Sequence, residues 1–295
     1  MKYLDPTIDI AFKRLFGNQA HSNIVISFLN SVLDLRGEHQ IASVIITDPY
    51  NQPDTLQLKM SIVDVRCTDQ KGRQFIVELQ VAYQDFYLER SQYYTSLAIT
   101  RQLPKGGRYQ DLMPVIFIGI LDFSLLDSSG YLHTHLITDK ETNEHAFRHL
   151  SFTIIELPKF NKTIDEVETI TDKWIYLLKH ASEFDEPPQS FVEQAEFNDA
   201  LNLLNQDTLN KKELAAYDRI VENMRAEENN RSTYMRLGLE KGRELGMEEG
   251  REKGREEGER QAKLKIAKAL QDTMPIEQIA QVTGFSVDDL KKLLK

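Results

Sequence analysis

Two strand-like runs on either side of a polar turn make up the stretch "SIVDVRCTDQKGRQFIVELQVAY", which covers residues 61–83. Each run carries one carboxylate among apolar side chains, Asp64 in the first run and Glu78 in the second. Burial of a carboxylate without a partner is costly, so each of these groups needs a cation or a hydrogen-bond donor. The stretch therefore predicts a β-hairpin that carries an ionic site within a sheet.

The register of the hairpin decides how the two carboxylates face each other. If the turn pairs Cys67 with Phe75, Asp64 lies directly across from Glu78, with the two Cβ atoms about 4.5–5.5 Å apart. Two carboxylates at that separation repel each other unless a cation lies between them. The pattern predicts a divalent metal site, while structural ion pairs, with Arg66 as an obvious partner, are the alternative that periodicity leaves open.

The third residue of interest in the hairpin is Gln80, which shares a strand face with Glu78 because side chains alternate along a strand. A hard cation such as Mg²⁺ binds through one or two carboxylates and keeps several waters. Gln80 is then within reach of a metal-bound water or a phosphate. We expect Mg²⁺, or another divalent cation such as Ca²⁺ or Mn²⁺.

Charge and composition limit the class of protein. The 295-residue chain has a formal net charge of -10, which argues against a strongly basic nucleic-acid coat protein but not against a local basic groove. Its single cysteine, Cys67, excludes an intrachain disulfide framework and suits a reducing compartment. The N-terminal residues lack an uninterrupted apolar signal core, and the longest apolar run, 113–121, is too short to span a bilayer. We expect a cytoplasmic protein with no membrane partner.

The predicted elements alternate between helices and strands. A continuous apolar strand is typical of a sheet covered by helices on both faces, and the run over 113–121 has that character. The periodicity predicts, in order, a helix interrupted near Gly17 (8–34), three strands (41–47, 56–67, 74–82), a helix (87–103), three further strands (113–121, 131–138, 150–157) and polar helices (165–181, 189–205). We expect an α/β protein with a mixed sheet flanked by helices.

The hairpin "VDVRCTDQKGRQFIVELQ" resembles the core motif of the PD-(D/E)XK nuclease superfamily, an Asp on one strand followed by Glu-x-Lys on the next. The order helix, three strands, helix, strand resembles the αβββαβ core of that superfamily. More closely, the chain resembles the Rpn family of recombination-promoting nucleases, also described as putative transposases. Five segments in order carry this likeness: "DIAFKRLFG" (9–17), "VDVRCTD" (63–69), "VELQ" (77–80), "RSQYYTSLAITRQLPKGGRY" (90–109) and "MPVIFIGILDF" (113–123).

The resemblance implies a restriction-endonuclease-like core with a helical C-terminal extension. It also implies a metal-dependent DNA endonuclease that hydrolyses phosphodiester bonds in a recombination, mobile-element or phage-defence setting. Asp64 and Glu78 would be metal ligands, joined by Asp9 from the first helix, and Gln80 would be a catalytic residue. The bound metal would lower the pKa of a water and offset the charge that develops on the scissile phosphate.

Gln80 departs from the superfamily pattern, because a neutral amide can orient a water but supplies no positive charge. Lys13 lies four residues after Asp9 and hence on the same helix face, so we predict that it compensates as a catalytic residue. The departure, together with the acidic charge balance, keeps an alternative open. In that alternative the chain is a catalytically inactive nucleic-acid-binding or assembly protein with a nuclease-like core.

Two residues near the start of the second predicted helix are candidates for nucleic-acid binding. Arg90 has the charge to contact a phosphate, and Tyr94 has a ring that can stack on a base. Spacing alone does not separate these roles from packing of the tyrosine in the core.

The chain changes character from about residue 209. The segment 225–262 is rich in Glu, Arg and Lys and has a glycine at every fourth position from Gly238 to Gly258. Each interior glycine costs a helix about 1 kcal/mol relative to alanine. The segment is therefore either a flexible linker or a long helix whose glycines let another helix approach closely.

The last segment, "MPIEQIAQVTGFSVDDLKKLL" (274–294), resembles a helix-turn-helix. Its second part is acidic before it is basic, which suits self-association at least as well as DNA readout. We expect a homo-oligomer formed through the C-terminal helical region. The predicted organisation is a nuclease-like core (1–160), a helical extension of it (161–208), the glycine-periodic segment (209–262) and the small C-terminal module (263–295).

Overall fold

The computed structural model describes residues 2–47 and 65–294, apart from the side chains of Glu228 and Arg231. The chain divides into two compact units, Met1–Val221 and Glu222–Lys295. Asp64 and most of the predicted strand over 56–67 lie outside the described residues.

The first unit is built on a mixed β-sheet. Within the described residues, six strands form this sheet in the order β1-β2-β3-β4-β6-β5. The pairs β3–β4 and β4–β6 are parallel, and the other pairs are antiparallel. The strands are β1 (Val44–Thr47), β2 (Val65–Asp69), β3 (Gln74–Gln80), β4 (Val115–Leu121), β5 (Leu132–Ile137) and β6 (Phe147–Glu156).

The hairpin between β2 and β3 has the register that the sequence predicts. Cys67 pairs with Phe75, and Val65 pairs with Val77. The turn is held by the carboxylate of Asp69, whose Oδ1 accepts the backbone N–H of Arg73 at 2.8 Å and whose Oδ2 accepts Nε of the same residue at 2.6 Å. Asp69 is buried, so its carboxylate has to keep these hydrogen bonds. A slip of the hairpin register by one residue would break them.

Helices cover the sheet and build a second layer of core. They are α1 (Asp9–Phe16), α2 (Ser22–Val32), α3 (Tyr87–Thr100), α4 (Ile170–His180), α5 (Gln189–Val192) and α6 (Ala195–Leu204). The break near Gly17 is present, since α1 ends at Phe16. Aromatic rings fill the space between these helices, with Trp174 lying 4.3 Å from Phe197 and 6.3 Å from Phe28, centroid to centroid. The predicted α/β class, with a mixed sheet flanked by helices, is confirmed.

The tail is helical. The helix α7 (Lys211–Leu270) includes the glycine-spaced segment, so the helical alternative holds there. In the second unit, α8 (Ile276–Thr283) and α9 (Val287–Leu293) follow it, and Ala267, Ile279 and Leu290 form a small buried cluster. Gly284 ends α8 in the left-handed conformation at φ 73°, which a glycine adopts without strain. Among the described helices, none combines the length and the apolar content that a membrane crossing needs.

Candidate active site

The site is built around Glu78, the last but two residue of β3. This glutamate is only 6% exposed, so its carboxylate needs a strong partner. Arg90, one turn into α3, donates from Nη2 to Glu78 Oε1 at 2.7 Å. The same nitrogen donates to Gln80 Oε1 at 2.6 Å. The Gln80 amide is itself oriented, because its Nε2 donates to the backbone oxygen of Ala82 at 3.0 Å. Two side-chain oxygens of β3 therefore converge on one point.

The guanidinium of Arg90 is held from several sides. Its Nη1 donates to Gln84 Oε1, and its Cζ lies 5.3 Å from the centroid of the Tyr87 ring, in a cation–π contact. Tyr87 is 2% exposed and anchors the first turn of α3 in the core. Arg90 keeps 27% of its side chain exposed. The guanidinium of Arg90 is thus held in a fixed orientation near the C-terminal end of β3.

Gly119 makes this arrangement possible. It pairs with Glu78 in the parallel ladder between β3 and β4. A Cβ atom at Gly119 would lie only 2.2 Å from the hydroxyl oxygen of Tyr87. The glycine therefore leaves the space that the Tyr87 ring needs beneath Arg90.

The sequence reasoning did not identify Tyr87, Gly119 or Gln84. A signal for one of them was available, because an isolated glycine inside the apolar run "VIFIGIL" suggests a close approach by another group. The aromatic contact between Tyr87 and Arg90 also follows from their spacing of three residues on one helix. No local pattern indicates the contact between Arg90 and β3, because it depends on how α3 packs on the sheet.

Arg66, the alternative partner considered for the carboxylates, donates instead from Nη2 to Gln74 Oε1 at 3.0 Å. Burial, together with the nearby charge of Arg101, lowers the pKa of Arg66. The described partner of Glu78 is therefore Arg90, from α3, and not the arginine of the neighbouring strand.

Asp9 and Lys13 lie together on α1, as their spacing predicts. Lys13 Nζ is 2.8 Å from Asp9 Oδ1, with the side chains 30% and 55% exposed for Lys13 and Asp9 respectively. An exposed pair of this type contributes little to stability. The predicted roles of Asp9 as a ligand and of Lys13 as a cation stay predictions.

Tyr94 is partly buried and packs against the core cluster that contains Ile76, Tyr87 and Phe117. Its ring centroid lies 6.1 Å from that of Tyr93, edge to face. This packing agrees with the core alternative for Tyr94, and its predicted contact with nucleic acid stays a prediction.

The family model described as PD-(D/E)XK nuclease family transposase matches residues 6–232 of this chain. The chain belongs to the PD-(D/E)XK nuclease family transposases. The predicted kinship is thus confirmed, and the fold is that of the restriction-endonuclease-like core. No curated protein and no solved structure matches the chain. The family match ends before Gly238, so the glycine-spaced part of α7 and the helices α8 and α9 lie beyond it.

In the (D/E)XK motif that gives this family its name, a carboxylate residue is followed two residues later by a lysine. If Glu78 is that carboxylate, as the resemblance implies, Gln80 stands at the position of the lysine. Carboxylate and amide oxygens are hard donors of the kind that Mg²⁺ and Ca²⁺ prefer, and here both oxygens point at one place. The donor set on β3 fits a hard divalent cation, although the guanidinium of Arg90 holds that place in this structure. Across residues 2–47 and 65–294, no group of three or more His, Cys, Asp or Glu side chains is arranged to hold a metal ion.

Proposed function

We propose that this protein is a divalent-metal-dependent DNA endonuclease that hydrolyses phosphodiester bonds in a recombination, mobile-element or phage-defence setting. The observation that carries the proposal is the convergence of the Glu78 and Gln80 oxygens on one point, in a family named for nuclease activity. Converging hard oxygens at the end of a sheet strand suit a cation better than they suit an apolar ligand.

In this proposal Asp64 and Glu78 hold the metal ion, and Asp9 is a further candidate ligand. The ion, when bound, lowers the pKa of a water and stabilises negative charge on the scissile phosphate. Gln80 orients the attacking water through its amide, which Ala82 holds in place. Mg²⁺ is the expected ion, with Mn²⁺ or Ca²⁺ as substitutes.

Substrate binding and assembly complete the proposal. Arg90 and Tyr94 would face the DNA at the start of α3, and the C-terminal helices would join copies of the chain into a homo-oligomer. Pairs of opposite sign lie along α7, such as Arg236 with Glu240 and Lys253 with Glu249, and they support the helix itself. The cytoplasm is the proposed location.

A second candidate function is an inactive nucleic-acid-binding or assembly protein with a nuclease-like core. The ion pair of Glu78 with Arg90 favours it, because a carboxylate neutralised by a guanidinium needs no metal to be stable. The two candidates differ in whether a metal can bind at Glu78.

A plasmid-nicking assay separates the two functions. Supercoiled DNA is incubated with Mg²⁺, Mn²⁺ or Ca²⁺ and with wild type, Asp64→Ala or Glu78→Gln, and Glu141→Gln serves as a control at an exposed position. A nuclease nicks the plasmid only with metal, and the two site variants lose this activity while the control keeps it. Equal behaviour of wild type and both site variants would support the inactive protein. Linear duplex, single-stranded DNA and RNA in the same assay define the substrate.

A further inference from the structure

The position at which the family pattern has a lysine is occupied by the neutral Gln80 in this chain. A lysine two residues after the carboxylate would bring an ammonium to the strand face that carries Glu78, and Gln80 brings none. Positive charge near a phosphate under attack stabilises the transition state, and its loss is costly. A nuclease with this site therefore needs a cation from elsewhere in the fold.

The guanidinium of Arg90 lies where that cation is needed. Its Nη2 is 2.6 Å from the amide oxygen of Gln80 and 2.7 Å from the carboxylate of Glu78. We propose that Arg90 supplies from α3 the active-site positive charge that a lysine at position 80 would supply from β3. This inference rests on the proposed nuclease function.

Gln80 and Arg90 are chemically complementary in this arrangement. A lysine at position 80 would place an ammonium against the guanidinium, and two like charges at that distance repel each other. The amide oxygen of Gln80 instead accepts a hydrogen bond from Arg90. The neutral residue on the strand and the cation on the helix therefore belong together.

Lys13, the cation predicted from sequence, has different surroundings. Both carboxylate oxygens of Asp9 lie close to its Nζ, at 2.8 Å and 3.0 Å, and the pair lies on α1. Arg90, in contrast, touches both β3 residues of the family pattern directly. Contact with Glu78 and Gln80 is the reason to prefer Arg90.

Arg90 is also suited to act on a phosphate. Its orientation is set before any substrate arrives, by the Tyr87 ring, by Gln84 and by the two β3 oxygens. A guanidinium carries five N–H donors, so contacts with Glu78, Gln80 and Gln84 leave donor capacity for a phosphate oxygen. It does not release its proton in proteins, and its role is electrostatic rather than that of a base.

The experiment tests whether a lysine at position 80 on β3 can replace the positive charge of Arg90 on α3. Cleavage rates are measured for wild type, Arg90→Gln and the double variant Gln80→Lys/Arg90→Gln, with the exposed Arg108→Gln as the control. We expect Arg90→Gln to lower kcat by about 100-fold or more, as loss of one transition-state donor does. The double variant should regain at least tenfold, and the control variant should stay within about tenfold of wild type.

A second readout does not depend on cleavage. Mn²⁺ binding is followed by electron paramagnetic resonance for wild type, Arg90→Gln and Glu78→Gln. Because Arg90 competes for the Glu78 carboxylate, Arg90→Gln should bind Mn²⁺ at least as tightly as wild type, and Glu78→Gln should bind it less tightly. Weaker Mn²⁺ binding in Arg90→Gln, in proportion to its lost activity, would overturn the proposal, since Arg90 would then merely position the ligand.

The single variant Gln80→Lys tests the idea in a chain that keeps Arg90. With the cation already present, we expect no gain in kcat and a lower melting temperature from repulsion between the two charges. A gain of tenfold or more would mean that the wild-type site lacks its cation, and the proposal would be wrong. So would a double variant no better than Arg90→Gln.

Failure of the underlying function has its own signature. If wild type neither nicks DNA nor binds Mn²⁺ more tightly than Glu78→Gln, the nuclease proposal and this inference are both wrong. If wild type does both and Arg90→Gln cleaves at the wild-type rate, only the role of Arg90 is refuted.

Discussion

Gly119→Ala is the substitution that most directly tests how the site is assembled. The new Cβ would lie 2.2 Å from the hydroxyl oxygen of Tyr87 and 3.2 Å from Ile154 Cδ1 and from Phe117 Cε1. A carbon and an oxygen in contact normally lie more than 3 Å apart, so either the Tyr87 ring or β4 has to move. The contacts with Ile154 and Phe117 are also tight, which limits how far the strand can shift.

The expected cost follows from this geometry. Overpacking a dense core by one methyl group costs about 1–3 kcal/mol, and the depth of the overlap with Tyr87 places Gly119→Ala at about 3 kcal/mol or above. Tyr87→Phe removes the oxygen that the methyl group meets and keeps the ring. If the overlap dominates, the double variant should be more stable than the sum of the two single changes predicts, by about 2 kcal/mol.

Urea unfolding measures this coupling. The only tryptophan, Trp174, is fully buried in the aromatic core of the first unit, so its fluorescence follows the unit that contains Gly119. The matched control is Gly250→Ala in α7, where an added Cβ meets nothing within 4 Å. There the same substitution should raise helix stability by about 1 kcal/mol, measured by far-ultraviolet circular dichroism.

The result that refutes the reasoning is a Gly119→Ala protein whose unfolding free energy stays within about 0.5 kcal/mol of wild type. There would then be more space around the Tyr87 ring than the structure shows. The variant also links packing to function, since displacing the ring withdraws support from Arg90 and should lower the rate of plasmid nicking. A destabilised variant with undiminished nicking would separate the two effects.

Two further predictions concern buried titratable groups. Burial alone would raise the pKa of Glu156, but the hydrogen bonds from Lys159 and from two backbone N–H groups hold it below the usual 4.5. Glu156 therefore stabilises the fold above pH 4.5, and this contribution is lost as the pH falls through the lowered folded value. Acid unfolding followed by fluorescence should show a shallower pH dependence in Glu156→Gln, and an unchanged slope would contradict the assignment. Burial, with the charge of Asp69 adding to it, raises the pKa of Cys67 to about 12, so this thiol should resist a thiol-specific reagent at pH 8 until urea unfolds the protein. Rapid labelling of the native protein would show that the thiol is accessible.

The hairpin and the first helix show what could be predicted from sequence. Strand alternation has a period of two residues, and together with a short turn it leads to the observed pairing of Cys67 with Phe75. Helical periodicity likewise places Lys13 over Asp9, four residues apart on one face. These predictions succeed because each depends on residues that are close in the chain. The opposition of Asp64 and Glu78 follows from the same logic and awaits a test, since Asp64 lies outside the described residues.

The partner of Glu78 shows where sequence reasoning stops. The buried carboxylate of Glu78 on β3 needs a cation as its partner, and strand periodicity indicated Arg66 on the adjacent strand. The cation is Arg90, brought by α3 after a turn at Phe86, whose backbone has the left-handed φ of 65°. Its position depends on the Tyr87 ring beneath it, and that ring depends on the missing side chain at Gly119.

By itself, the sequence determined the α/β class, the hairpin register and the need for charge compensation within the sheet, because these follow from local periodicity and from the cost of burying a carboxylate. Its motifs also carried the resemblance to the family. Only the tertiary structure decided which cation meets that need. Packing of α3 on the sheet brings together groups from β3, α3 and β4. Because these groups are far apart in the chain, their contact produces no periodic sequence pattern from which it could be predicted.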